Sequence, residues 1–175
     1  MKERILVVED EEVLRINLCE FLVERGYAAL GVGDAESALA ALADEDYAIV
    51  ITDIRLPGMD GMALLKKIVA ERPETFILVA TAYASVESVV EALRLGAFDY
   101  LLKPVVFEDL LQKVQNLIQY RALKEEVVRL RHDLHQRLGF AGIVGTNPAV
   151  KEVFTLVEKV AATKSIVLIT GESGT

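Results

Sequence analysis

At 175 residues the chain has room for one full domain and part of another. Its 53% hydrophobic and 26% charged composition reads as a globular protein with a real core, and no long uncharged apolar run offers a membrane span. A net charge of -8 argues against a nucleic-acid surface, which needs clustered Lys and Arg.

The chain passes from a short charged head straight into the apolar run Ile5-Leu-Val-Val8, without the longer apolar stretch of a secretory signal. Two further runs, Ala48-Ile-Val-Ile51 and Phe76-Ile-Leu-Val-Ala80, are also apolar almost throughout. Strands of this kind are covered on both faces, as in a parallel sheet. Ala28 to Val32 and Tyr100 to Leu102 are the remaining strand candidates. Helical patterns lie between them. Glu12 to Arg25 repeats Leu14, Leu18, Phe21 and Leu22 and stops at Gly26. Asp34 precedes an Ala/Leu-rich helix that ends near Asp44, and Gly61 to Arg72 is stopped by Pro73. Ser85 can cap a fourth helix, and a fifth begins near Phe107. Strand and helix alternate five times, which predicts an α/β doubly wound, five-stranded parallel sheet with helices on both faces. Cys19, the single cysteine, cannot make an internal disulfide, which suits a reducing cytoplasm.

From Phe107 to Leu138 there is no Gly or Pro. Leu123, Val127, Leu130 and Leu134 alternate steps of four and three, a heptad seam. We read residues 1–119 as the first domain and 120–138 as a coiled-coil linker; the competing reading is one amphipathic helix packed on its own domain. His132 and His135 read as solvated. After Leu138, Gly139, Gly142 and Gly145 mark a loop, and Asn147-Pro148 starts a helix to about Ala162. An apolar strand, Ser165 to Ile169, then leads into Gly171, Glu172, Ser173, Gly174 and Thr175. These last five match the start of a phosphate-binding loop, G-x-x-x-x-G-K-[ST]. Residues 139–175 are therefore read as the start of a second domain.

In a doubly wound sheet, ligands sit outside the carboxyl ends of the strands. Glu9, Asp10, Asp53, Thr81 and Lys103-Pro104 fall there, from four separate stretches. Clustered carboxylates repel, and a hard divalent ion such as Mg²⁺ relieves that repulsion. A carboxylate beside the ion can then attack phosphorus, with one ammonium and one hydroxyl offsetting the spread charge. Asp53, Lys103 and Thr81 suit these roles. Taken alone, Asp53 would read as a turn residue or helix cap.

Val7-Val-Glu-Asp10, Thr52-Asp-Ile-Arg-Leu-Pro-Gly-Met-Asp-Gly61, Ala80-Thr-Ala82 and Gly96-Ala-Phe-Asp-Tyr-Leu-Leu-Lys-Pro104 resemble, in order, the signatures of bacterial response-regulator receivers, a flavodoxin-like fold. The resemblance implies phosphorylation of Asp53 by a sensor histidine kinase. It implies metal ligation by Asp10, Asp53 and the backbone carbonyl of Arg55, with Glu9 standing where Asp is more usual. It makes Thr81 and Tyr100 the switch pair and gives Lys103-Pro104 a cis peptide. Ile143-Val-Gly-Thr-Asn-Pro148, with the interrupted phosphate loop, resembles the start of the AAA+ ATPase of nitrogen-regulator-C-type activators. That likeness implies ATP, RNA polymerase carrying the nitrogen-type sigma factor, and DNA as partners through segments beyond this sequence. A homodimer through the linker and the fourth-helix, fifth-strand, fifth-helix face is expected. The competing functions are a Mg²⁺-dependent phosphohydrolase, which Arg55 two positions after Asp53 argues against, and a dimerisation module that is never phosphorylated.

Overall fold

A computed structural model describes residues 2–82, 86–138, 148–161, 163, 166–168 and 170. The chain divides into two compact units, Met1–Val127 and Val128–Thr175.

The first unit alternates strand and helix: β1 (Arg4–Val8), α1 (Glu12–Glu24), β2 (Ala28–Val32), α2 (Ala35–Asp44), β3 (Ile49–Asp53), α3 (Gly61–Glu71), β4 (Phe76–Thr81), α4 (Val86–Arg94), β5 (Asp99–Leu102) and α5 (Phe107–Leu138). All strand pairs are parallel, in the order β2-β1-β3-β4-β5. The doubly wound architecture is thus as expected. Strand order reverses between β1 and β3, so a crevice opens at their carboxyl ends. Those ends carry the acidic residues.

Alternation along the strands splits the core into two layers. Leu6, Val8, Val50, Ile77 and Val79 face Ala38 and Leu42 of α2, Leu64, Leu65 and Ile68 of α3, and Ala92 of α4. Ile5, Val7, Ile49, Ile51, Leu78 and Leu101 face Leu18 and Leu22 of α1 and Leu110, Val114 and Leu117 of α5. Burial on both faces is why these strands read as unbroken apolar runs. Two carboxylates cap helices: Asp34 accepts from the Ser37 amide at 2.7 Å, and Asp60 accepts from the Ala63 amide at 2.7 Å.

The compact unit extends past residue 119 because α5 keeps touching the base of the sheet. Tyr120 packs against Phe76 and Phe98, with ring centroids 5.7 and 5.4 Å away. Arg121 pairs with Glu3 at 3.3 Å and Lys124 with Glu74 at 3.0 Å. Leu123, Val127 and Leu130, three members of the heptad seam, are exposed.

The second unit contains α6 (Pro148–Ala161). Residues 166–168 form no strand, and Ile166 and Leu168 are fully or largely exposed. Among the described residues these three have no ladder partner, and an isolated strand leaves its amides unpaired; Ser165 and Ile169, the ends of the expected strand, lie outside the described residues. Ser85, Gly139, Gly142, Gly145, Asn147 and the five residues Gly171, Glu172, Ser173, Gly174 and Thr175 lie outside the described residues.

Candidate functional site: an acidic pocket at the sheet edge

Each acidic side chain is delivered by a strand end. Glu9 and Asp10 follow β1, and Asp53 is the last residue of β3. Parallel register places Asp53 opposite Ala80 on β4, and Thr81 opposite Leu102 on β5. The Lys103 amide donates to the Thr81 carbonyl at 2.9 Å, which carries the strand pairing one residue further and sets Lys103 at the same edge. The Lys103–Pro104 peptide is cis.

Glu9 is 2% exposed, Thr81 4% and Asp53 8%, whereas Asp10 is open to solvent. One carboxylate oxygen from each of Glu9, Asp10 and Asp53 lies within 4.8 Å of the others. The Lys103 ammonium bridges two of these acids, donating to Glu9 Oε1 at 2.7 Å and to Asp53 Oδ2. The second Asp53 oxygen accepts the Arg55 amide at 2.9 Å, which holds the carboxylate in a fixed plane and brings the Arg55 backbone alongside it. The Thr52 hydroxyl donates to the Asp53 carbonyl at 3.0 Å.

Charge explains the behaviour of the buried pair. Burial pushes the Glu9 carboxyl above the usual carboxylate range and outweighs the hydrogen bond and charge of Lys103, while the Asp53 charge adds to the rise. Burial alone would lower the Lys103 ammonium; its hydrogen bonds to Asp53 and Glu9, and the charges of both acids, override it and raise it.

Three ionised carboxylates against one ammonium leave two negative charges. Hard oxygen donors, one partly solvated, with a residual charge of that size suit a hard divalent cation that keeps some of its water. The residues therefore fit Mg²⁺. Glu9, Asp10 and Asp53 would hold it, with Arg55 adjacent through its backbone.

Tyr100 stands on β5, half-buried, with the Lys113 ammonium 5.6 Å from its ring centre. Two contributors went unnoticed in the sequence. Gly61 was read only as the start of a helix, yet its amide donates to the Ile54 carbonyl at 2.8 Å, and a Cβ built on it would lie 1.8 Å from the Asp53 carbonyl oxygen. The signal was present, because a glycine opening a helix right after an Asp cap marks a close backbone approach. Arg15 was the other: its guanidinium reaches back to the Glu9 and Asp10 carbonyls at 2.6 and 3.3 Å.

The chain is similar to known proteins in sequence and in fold. The chain is 37% identical to the Regulatory protein AtoC of Escherichia coli (strain K12), over 98% of its own length and 37% of that protein. It is 40% identical to the Response regulator protein FleR of Pseudomonas aeruginosa, over its whole length and 34% of that protein. The chain thus spans about a third of the length of these curated relatives. Among solved structures it is similar to a response regulator receiver domain protein (CheY-like) from Methanospirillum hungatei JF-1, with a TM-score of 0.69 and 32% identity over 71% of this chain and 99% of that one. It is also similar to NtrX from Brucella abortus in complex with ADP, with a TM-score of 0.71 and 33% identity over 93% of this chain and 35% of that one. The family model of the response regulator receiver domain matches residues 5–115, and the chain belongs to that family.

Proposed function

We propose that this chain is the switch segment of a two-component response regulator, in which Asp53 accepts a phosphoryl group from a sensor histidine kinase. The observation that carries the reading is Lys103 held between the buried Glu9 and Asp53 at the carboxyl edge of the sheet. An Asp53 carboxylate oxygen attacks the phosphorus of a phosphohistidine; the P–O bond forms as the P–N bond breaks and the electron pair leaves on the imidazole. A bound Mg²⁺ would supply charge neutralisation at the phosphoryl oxygens. Lys103 faces the same developing charge, the Arg55 amide keeps Asp53 oriented, and the Thr81 hydroxyl, with its residue buried beside the site, turns toward the new phosphoryl group. Tyr100 follows Thr81 inward and reshapes the face made by α4, β5 and α5. Such a switch biases two pre-existing states.

In this reading residues 1–119 are the receiver, 120–138 a dimeric coiled-coil linker, and 139–175 the start of an AAA+ ATPase that acts, with ATP, on RNA polymerase carrying the nitrogen-type sigma factor. The exposed Leu123, Val127 and Leu130 support the linker, and the family of the relatives supports the transcriptional role. The chain is then a phosphoacceptor rather than an enzyme, and works in the cytoplasm. No helix among the described residues is long and apolar enough to cross a membrane.

The test is treatment with Mg²⁺ and acetyl phosphate or beryllofluoride, followed by intact mass and sedimentation. A metal-dependent adduct on Asp53 with a change in assembly is the expected result. Absence of any adduct would sink the switch, and an adduct with unchanged assembly would remove the linker from the mechanism.

A further inference from the structure

The β1–α1 segment that carries Glu9 and Asp10 has to present two carboxylates toward Asp53 from a stretch of chain without regular pairing. One strut is visible at its start, where the Glu9 amide donates to the Val32 carbonyl at 3.0 Å. The rest comes from α1. Arg15, one turn into the helix and half-buried, donates from one guanidinium nitrogen to the Glu9 carbonyl at 2.6 Å and to the Asp10 carbonyl at 3.3 Å. These are consecutive peptide units, so the bonds fix the orientation of the backbone from which both side chains project.

The neighbouring strand leaves room for this strut. A Cβ on Gly31 of β2 would stand 2.9 Å from Arg15 Cγ and 2.9 Å from Cys19 Sγ. A Cβ on Gly33 would stand 3.4 Å from the same Arg15 nitrogen that makes the two hydrogen bonds. The Gly31-Val-Gly33 stretch thus forms a slot along which the Arg15 stem lies. The one guanidinium nitrogen carries two N–H donors, enough for both carbonyls, and the planar, delocalised frame fixes the direction of each, which the freely rotating ammonium of a lysine does not.

The geometry points to Arg15 as a positioning residue: seated in the Gly31–Gly33 slot, it holds the Glu9–Asp10 backbone so that the two carboxylates can take a divalent cation with Asp53. The inference rests on the reading of the acidic pocket as the ion site, and it makes a prediction whose sign is diagnostic. Arg15 is a cation. Were it only a charged neighbour, its removal would tighten binding of another cation. As a strut, its removal weakens binding, by about 10-fold or more if it behaves like other groups that orient metal ligands.

The experiment titrates metal-free full chain with Mg²⁺ and with Mn²⁺ by calorimetry, alongside amide hydrogen exchange of Glu9, Asp10 and Glu11 in the absence of ion. Arg15→Ala is expected to lower affinity about 10-fold or more and to speed exchange at those amides, with Arg15→Lys recovering part of the loss. Gly31→Ala, which keeps the charge but crowds the stem, should weaken binding in the same direction, and by less in the Arg15→Ala background, where only the Cys19 contact at 2.9 Å remains. It also carries the test if Arg15→Ala does not fold. Affinity unchanged or tighter in both folded variants overturns the inference while leaving the ion site intact. No binding by the unsubstituted chain overturns the ion site, and the inference with it.

Discussion

Gly61→Ala is the smallest change that sets the phosphoacceptor against its own scaffold. The added methyl carbon would lie 1.8 Å from the Asp53 carbonyl oxygen, against the 3.0 Å that real Cβ atoms keep, a shortfall of 1.2 Å. Its next neighbours are also backbone, Asp53 C at 2.8 Å and Ile54 Cα at 2.9 Å, so no rotamer relieves the contact. Either the Asp53–Ile54 backbone leaves β4, where Ile54 donates to the Ala80 carbonyl at 3.2 Å, or the first turn of α3 withdraws and gives up the Gly61–Ile54 hydrogen bond. Overpacking costs about 1–3 kcal/mol. An orphaned buried amide adds a similar amount. Destabilisation of about 4 kcal/mol is therefore expected in urea unfolding. A nucleophile displaced by about 1 Å should also be labelled by acetyl phosphate about 10²-fold more slowly, measured well below the unfolding midpoint. Stability and labelling rate both equal to the unsubstituted chain would refute the claim that α3 holds Asp53 in place.

Lys103→Ala strands the buried Glu9 beside Asp53 without a counter-charge and should cost about 3–5 kcal/mol near neutral pH; chemical denaturation with and without Mg²⁺ checks it, and a loss below about 1 kcal/mol would contradict the buried pair. Because burial raises Glu9 from 4.5, the stability linked to its protonation is fully present below pH 4.5 and is lost as pH rises through the higher folded value. Metal-free Glu9→Gln should lack that decline, so its unfolding free energy follows a flatter pH profile than the unsubstituted chain over that window. Asp60→Ala removes the α3 cap and should lower stability by about 1 kcal/mol, read from the urea midpoint. The proposed linker predicts a dimer in sedimentation that replacing Leu123, Val127 and Leu130 together by Ser converts to monomer, without altering the thermal melt of the first unit.

What could be read from the chain followed from burial and from strand ends. Ile49, Ile51, Val50 and their neighbours are apolar because helices cover both faces of the sheet, and that pattern survives in one dimension. Glu9, Asp10, Asp53, Thr81 and Lys103 were legible because the carboxyl edge of such a sheet is where strands stop. The props behind them were not. Lys103 meets Glu9 across 94 positions, and no local pattern says that one ammonium will serve two acids. The Arg15 contact depends on a helix turning back over the loop before it, and the Gly61 contact on how closely α3 starts beneath β3. Residues 166–168, expected as the middle of a strand, are unpaired for the opposite reason: their local pattern was apolar, but a strand is defined by partners.

The place where α5 parts from the first unit is held by contacts of two kinds. Tyr120 is seated among Phe76 and Phe98, and that contact is indifferent to ions. Arg121–Glu3 and Lys124–Glu74 are partly exposed pairs, worth about 0.2–1 kcal/mol each and screened as salt rises. Ionic strength thus acts as a dial on how many turns of α5 stay docked, loosening the turn beyond Tyr120 in concentrated salt and tightening it in dilute buffer.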